Sequence, residues 1–333
     1  MKKHKLWVWV GAAMLCAVAQ GADTRVGIIG LDTSHAIAFA KMLNAEKGEP
    51  AFEGFKVTAA YTYGSLDIPS STNRYPLYTK QIKEMGVEIV GSIADLLKQT
   101  DVILLETNDG RRHLEQALEV FKAGKRVFID KPIAASLADV LLIFDAAQKY
   151  GVPVFSSSAL RYTQKTQKAR AGEFGRIIGA DAVSPCSLEP THPDLFWYGI
   201  HGVEPLFTVM GTGCESVARV SLENVDFVVG TWKDGRVGTM RGIRGKGASY
   251  WCDIIAEKGG RQAVGGYESY KPLLLEIVKF FKTGEVPVPP EETIEMFAFM
   301  EAAHESKRRG GVSVKIADVL ALARAEASTR KLD

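Results

Sequence analysis

The chain has 333 residues, enough for about two domains, with 46% apolar residues and 41 lysines and arginines against 39 aspartates and glutamates. Nothing in that balance suggests a nucleic-acid partner. Four cysteines, Cys16, Cys186, Cys214 and Cys252, are too few and too widely spaced for a disulfide framework or a zinc site, so buried thiols and no metal are expected.

Lys2, Lys3 and Lys5 precede an apolar run from Leu6 to Ala19 that ends in the small-residue pattern Ala17-Val18-Ala19. This reads as a secretory signal peptide over residues 1–19 and implies an exported, periplasmic protein. Its fourteen apolar residues fall short of the ~18 needed for a membrane span, and no later segment is longer, so no stable span is expected after processing. Without the three leader lysines the basic residues number 38 against 39 acidic ones.

From Arg25 to Ser156 apolar strands alternate with helical patterns, the form of repeated βαβ units. Strands are predicted at 25–29, 56–63, 88–90, 102–106, 126–129 and 152–156, and helices at 36–46, 93–99, 112–123 and 137–150. The polar stretch from Gly64 to Tyr78 reads as a long loop. Beyond Ala159 strands follow one another at 177–185, 216–223, 225–232, 236–244 and 248–256, with Asp234-Gly235 as a hairpin turn, before helices at 271–281 and 291–308. The fold class is therefore α/β: a Rossmann-type, doubly wound parallel sheet over residues 24–156, then an α+β domain with a large, open, mostly antiparallel sheet over 157–333. The free face of that second sheet must pack on something, which suggests a homo-oligomer.

In a parallel sheet of this kind ligands bind beyond the carboxyl ends of the strands. Four clusters fall there or beside it. Gly30-Leu31-Asp32-Thr33-Ser34-His35 occupies the place of a dinucleotide fingerprint, but Asp32 and His35 stand where its second and third glycines belong. Asp32 would then face an anionic pyrophosphate, unless Asp32, Thr33 or Ser34 simply caps the next helix. The second strand also ends without an acid to hold a ribose. Glu106-Thr107-Asn108-Asp109, with His113 following, lines a crevice or caps a helix. Val127-Phe128-Ile129 runs into Asp130-Lys131-Pro132, placing an ammonium group at the edge. In Phe196-Trp197-Tyr198-Gly199-Ile200-His201 and Glu204, the His and Glu share a helix face suited to proton transfer, and the aromatics suit a sugar ring or the core.

Together these motifs resemble the Gfo/Idh/MocA oxidoreductase family over nearly the whole mature chain. Val127 to Pro132 looks like its Glu-Lys-Pro signature with Asp for Glu. Further matches are Val26 to Gly30, Thr107 to His113, Arg161 and His201. The resemblance implies NAD or NADP along Gly30, Asp32, Thr33, Ser34, His35, Thr107, Asn108, His113, Asp130 and Lys131. It implies Lys131, His201 and Glu204 as catalytic residues, and Arg161, Trp197, Tyr198 and His201 around a carbohydrate-like substrate. It also implies frequent pairing through the open sheet. Departures fall on the site: two fingerprint glycines are missing, Trp197 stands where sugar dehydrogenases of the family carry an aspartate, and Thr107-Asn108 replaces Thr-Pro. Three functions are consistent with this pattern. One is an exported NAD(P)-dependent oxidoreductase of a sugar, sugar acid or cyclitol. Another is an enzyme with bound NAD that cleaves or rearranges a glycoside without net redox. The last is a cofactor-less saccharide- or protein-binding scaffold.

Overall fold

A computed structural model describes residues 23–332, so the predicted signal peptide and Cys16 lie outside the described residues. The first sheet is built from β1 (Thr24–Ile29), β2 (Phe55–Tyr61), β3 (Glu88–Val90), β4 (Val102–Leu105), β5 (Val127–Ile129) and β6 (Val154–Ser156). It is wholly parallel, in the order β3-β2-β1-β4-β5-β6, the doubly wound arrangement expected. Helices α1 (Ser34–Leu43), α2 (Pro69–Glu84), α3 (Ile93–Gln99), α4 (His113–Lys122) and α5 (Leu137–Tyr150) connect the strands. The register aligns Ile29 with Leu105, Leu105 with Ile129, and Ile129 with Ser156. Gly30, Glu106, Asp130 and Ser157 therefore form one row across the carboxyl edge.

The stretch read as a loop is mostly helix: α2 begins at Pro69 and runs through Pro76. Periodicity missed it because the helix is polar nearly all round, with only Ser71 and Ile82 buried. Pro at its first position starts it without wasting a backbone donor.

After α6 (Gln164–Arg170) the chain forms β7 (Ile177–Pro185), α7 (Asp194–Trp197), α8 (Ile200–Met210), β8 (Cys214–Leu222), β9 (Val225–Trp232), β10 (Val237–Ile243), β11 (Trp251–Ala256) and β12 (Gly260–Ala263). Next come α9 (Lys271–Thr283), α10 (Pro290–Arg308), β13 (Val314–Lys315) and α11 (Ile316–Ser328), the last not foreseen from the sequence. The second sheet, β12-β11-β7-β10-β9-β8-β13, departs from a sequential meander because β7 inserts between β10 and β11 and runs parallel to β10. Its other pairings are antiparallel, as expected.

One hydrophobic core joins the two sheets, running from Ile29, Ile103 and Ile129 through α5 and α10 to Val217 and Val228. A second core covers the opposite face of the first sheet, and α9 supplies much of it through Leu273, Ile277, Phe280 and Phe281. Phe280 meets Phe155 edge-on at 5.0 Å, and Phe281 stacks on Phe55 at 6.4 Å. The late helix thus packs on the early domain and fixes the two halves about the carboxyl edge. Cys186, Cys214 and Cys252 are buried free thiols. Among the described residues, no helix is long and apolar enough to cross a membrane.

Candidate active site

A cavity of about 360 Å³ lies between the carboxyl edge of the first sheet and the start of α8. From the first sheet it is lined by Thr33, Ser34 and His35 at the start of α1, Asn108 after β4, Lys131 after β5 and Ser158 after β6. From the second half come Trp197, Tyr198, His201, Tyr250, Tyr267 and Tyr270. The cavity therefore brings Lys131 and His201 together, although they lie on different sheets' supporting elements.

The turn at Gly30 sets this geometry. Its φ is +89°, and a Cβ there would stand 2.5 Å from the Thr107 backbone, so only glycine lets the β1–α1 turn press on the end of β4. Thr33 caps α1, accepting from the Ala36 N–H at 3.4 Å, as one of the capping alternatives supposed.

Asp32 does not face a pyrophosphate. It is fully buried and does not line the cavity; its carboxylate accepts from the Asn108 N–H at 2.9 Å and the Ser71 hydroxyl at 2.7 Å. Burial raises its pKa to about 6 against the pull of those two bonds. The unfavourable charge expected at the second fingerprint position is turned away from the ligand path.

A raised pKa means that the folded chain binds this proton more tightly than the unfolded one. The cost of ionising Asp32 is absent below pH ~4, grows as pH rises through 4–6, and is complete above that window. Asp32→Asn, which still accepts from Asn108, is expected to stabilise the fold by about 1–3 kcal/mol at pH 7.5 and to change little at pH 4. Thermal unfolding at the two pH values checks this; an equal effect at both would refute it.

Several expected site residues serve the scaffold instead. Thr107 and His113 are fully buried away from the cavity, the His113 ring nitrogens facing the carbonyls of Thr107 (2.7 Å) and Ile133 (3.1 Å). Burial lowers the pKa of His113. Arg161 is buried and does not reach the cavity: its guanidinium donates to Glu204 at 2.5 Å and Glu292 at 2.6 Å. Glu204 consequently does not orient His201; it accepts from Arg161 and from the Ser157 hydroxyl at 2.8 Å. Three-residue spacing put His201 and Glu204 on one helix face, but the buried guanidinium captures the carboxylate.

His201 instead meets the Ser158 hydroxyl through Nδ1 at 3.0 Å, and its ring lies 4.8 Å from Tyr198 and 5.6 Å from Tyr250. Burial, reinforced by the nearby Lys131 charge, holds its pKa well below the usual value, so the imidazole is neutral near pH 7. Asp130 lies fully buried under the cavity floor, 2.8 Å from His35 Nδ1 and 3.7 Å from Lys131 Nζ. Burial alone would raise its pKa, but His35 and Lys131 outweigh that and keep it below the ordinary carboxylate range. Glu106, buried beside it, is pushed well above its ordinary value by burial and then by Asp130.

Reasoning from sequence missed Tyr250, Tyr267 and Tyr270, which wall the cavity, and Ser70 and Arg74 of α2. The Tyr267–Tyr270 pair was visible as aromatics ahead of α9. Arg74 carried no signal once its helix was read as a loop.

A nicotinamide dinucleotide fits the residues present. The glycine-pressed turn opens the N-terminus of α1 to the cavity, Asp32 is withdrawn, and Arg74, free of any carboxylate partner among the described residues, offers a cation to a phosphate.

Residues 24–158 match the model of an oxidoreductase family with an NAD-binding Rossmann fold. Over 118 residues the chain is 30% identical to inositol 2-dehydrogenase 3 of Saccharopolyspora erythraea, an alignment covering 34% of each protein. It thus spans about a third of that relative's length. Over 257 residues it is 21% identical to inositol 2-dehydrogenase of Salmonella typhimurium, covering 71% of this chain and 72% of that one. The fold superposes on scyllo-inositol dehydrogenase from Lactobacillus casei, crystallised with NAD(H) and scyllo-inositol, with a TM-score of 0.69 at 15% identity, covering 89% of this chain and 99% of that one. A probable dehydrogenase from Thermotoga maritima gives 0.71 at 20% identity with the same coverage. The signature lysine, the doubly wound sheet and this match agree: residues 24–158 form a domain similar to the NAD-binding Rossmann fold of the Gfo/Idh/MocA oxidoreductase family.

Proposed function

We propose that the protein oxidises a hydroxyl of a sugar, sugar acid or cyclitol, with NAD or NADP held along the carboxyl edge by the α1 turn, Asn108, Arg74 and Lys131. The observation that carries this reading is the single cavity that holds both Lys131 and His201 within aromatic walls. A nicotinamide held by these residues would supply the hydride acceptor for the substrate carbon. His201 takes the hydroxyl proton: in the tautomer that donates Nδ1–H to Ser158 Oγ at 3.0 Å, Nε2 carries a free lone pair and has no hydrogen-bond partner among the described residues. The Lys131 ammonium stabilises negative charge as it develops on that oxygen. Trp197, Tyr198 and Tyr250 offer ring faces to the C–H surface of a polyol.

The leader pattern supports export to the periplasm, where free nicotinamides are scarce. A second reading follows, in which a bound cofactor is recycled within one turnover and a glycoside is cleaved or rearranged without net redox. The segment ahead of α2 and the first turn of α2 favour it, being tied to the turns after β1 and β4 by Ser65–Asp109 (2.5 Å), Asp67–Arg111 (2.8 Å) and Ser71–Asp32 (2.7 Å). Exposed Ile178, Val237, Trp251 and Ile255 on the second sheet support pairing of two copies through that face.

The test is to denature purified protein and assay the supernatant for nicotinamide nucleotides, then to titrate the native protein calorimetrically with NAD and NADP. Saturable binding without co-purified nucleotide is expected of an exchanging dehydrogenase, and stoichiometric co-purified nucleotide of the recycling enzyme. Neither nucleotide nor binding would sink both and leave a cofactor-less binding scaffold.

A further inference from the structure

Under the cavity floor three side chains that the proposed reaction does not use converge. His35 comes from the first turn of α1, Glu106 from the end of β4 and Asp130 from the end of β5, and their ligating atoms lie within 4.8 Å of one another. Glu106 and Asp130 are wholly excluded from solvent. Only half of each carboxylate is satisfied. Asp130 Oδ1 meets His35 Nδ1 at 2.8 Å and Glu106 Oε2 accepts from Thr33 at 3.4 Å, whereas Asp130 Oδ2 and Glu106 Oε1 are buried without any hydrogen-bond partner.

Orphaned carboxylate oxygens at such depth are costly, and interiors normally satisfy them. The nearest cation, Lys131 Nζ, stands 3.7 Å from Asp130 Oδ2, beyond hydrogen-bond reach. A proton shared between the two carboxyls is the competing way to satisfy these oxygens, and it predicts no saturable metal binding. A divalent ion would engage both carboxylates and the imidazole at once. One nitrogen and two carboxylate donors, with no thiolate, suit a first-row divalent ion, whereas Mg²⁺ favours oxygen ligands and retained water. The 2.8 Å between His35 Nδ1 and Asp130 Oδ1 is close to the roughly 3 Å that neighbouring donors about 2.1 Å from one ion would show. His35 also lines the cavity, which gives the ion a way in and leaves open coordination positions toward it.

We propose that His35, Glu106 and Asp130 bind a divalent first-row cation, Mn²⁺ or Zn²⁺, beneath the cavity floor. The site fills the ground left by the missing third fingerprint glycine, which His35 replaces. It adds a cation to the cavity independently of whether a dinucleotide binds.

Purified full-length protein, stripped with chelator and dialysed, is titrated with MnCl₂, free Mn²⁺ being read by electron paramagnetic resonance, and separately with ZnCl₂ by calorimetry. One ion per chain is expected, with affinity at least tenfold weaker in Glu106→Gln and in His35→Gln. Circular dichroism of the metal-free variants establishes that each is folded, and either variant suffices if the other is not. Wild-type protein that shows no saturable binding, or folded variants that bind as tightly as wild type, would overturn the proposal.

Discussion

Lys131→Ala is expected to lower kcat/KM by about 10²–10³-fold, the usual loss when a preorganised group that stabilises developing oxyanion charge is removed. The assay follows NAD or NADP reduction with myo- or scyllo-inositol, or with whichever polyol gives turnover. The change should leave the fold intact, because Lys131 sits at the cavity wall and its ion pair with Asp130 is long at 3.7 Å. Dinucleotide affinity should fall far less than turnover, since the α1 turn and Arg74 remain. Lys131→Arg is not expected to rescue activity: a planar guanidinium cannot place a compact charge where the ammonium stood. Turnover within about threefold of wild type would remove Lys131 from the mechanism and leave His201 without an electrostatic partner in the cavity.

The parts of this molecule that were legible in the sequence are those whose physics is local. Strands such as β4 and β5 are short runs of buried apolar residues and announce themselves. The Asp130-Lys131-Pro132 turn followed from where such a strand must end, which is why Lys131 could be placed at the cavity from sequence. What was not legible depended on partners far along the chain. Asp32 looked hostile to an anion until Asn108 and Ser71 were seen to hold it away. Glu204 looked like the partner of His201 because spacing along one helix says nothing of a guanidinium arriving from residue 161. The polar α2 hid because its single buried aliphatic, Ile82, makes no stripe, and Arg74 was lost with it. The insertion of β7 between β10 and β11 has no local signature, since strand order within a sheet is decided by the crossing of α7 and α8 between β7 and β8.

Arg161→Ala is expected to destabilise the protein by about 3–5 kcal/mol, the cost of breaking a buried ion pair from one side. The guanidinium is 2% exposed and bridges Glu204 on α8 to Glu292 on α10, helices that support the cavity and the second sheet. Burial alone would lower its pKa, yet the two carboxylates outweigh that and hold it above its ordinary value. After substitution Glu292 keeps Arg170 at 2.8 Å, so the loss falls on Glu204, left with only the Ser157 hydroxyl. The paired change Arg161→Met with Glu204→Gln should recover much of the loss, because no uncompensated charge then remains buried. Urea unfolding of the three variants measures this, and the double variant separates lost packing from an orphaned carboxylate. A substrate-binding arginine would behave otherwise, raising KM with stability within about 1 kcal/mol of wild type. That outcome would move residue 161 from the scaffold into the site and reopen Glu204 as the partner of His201.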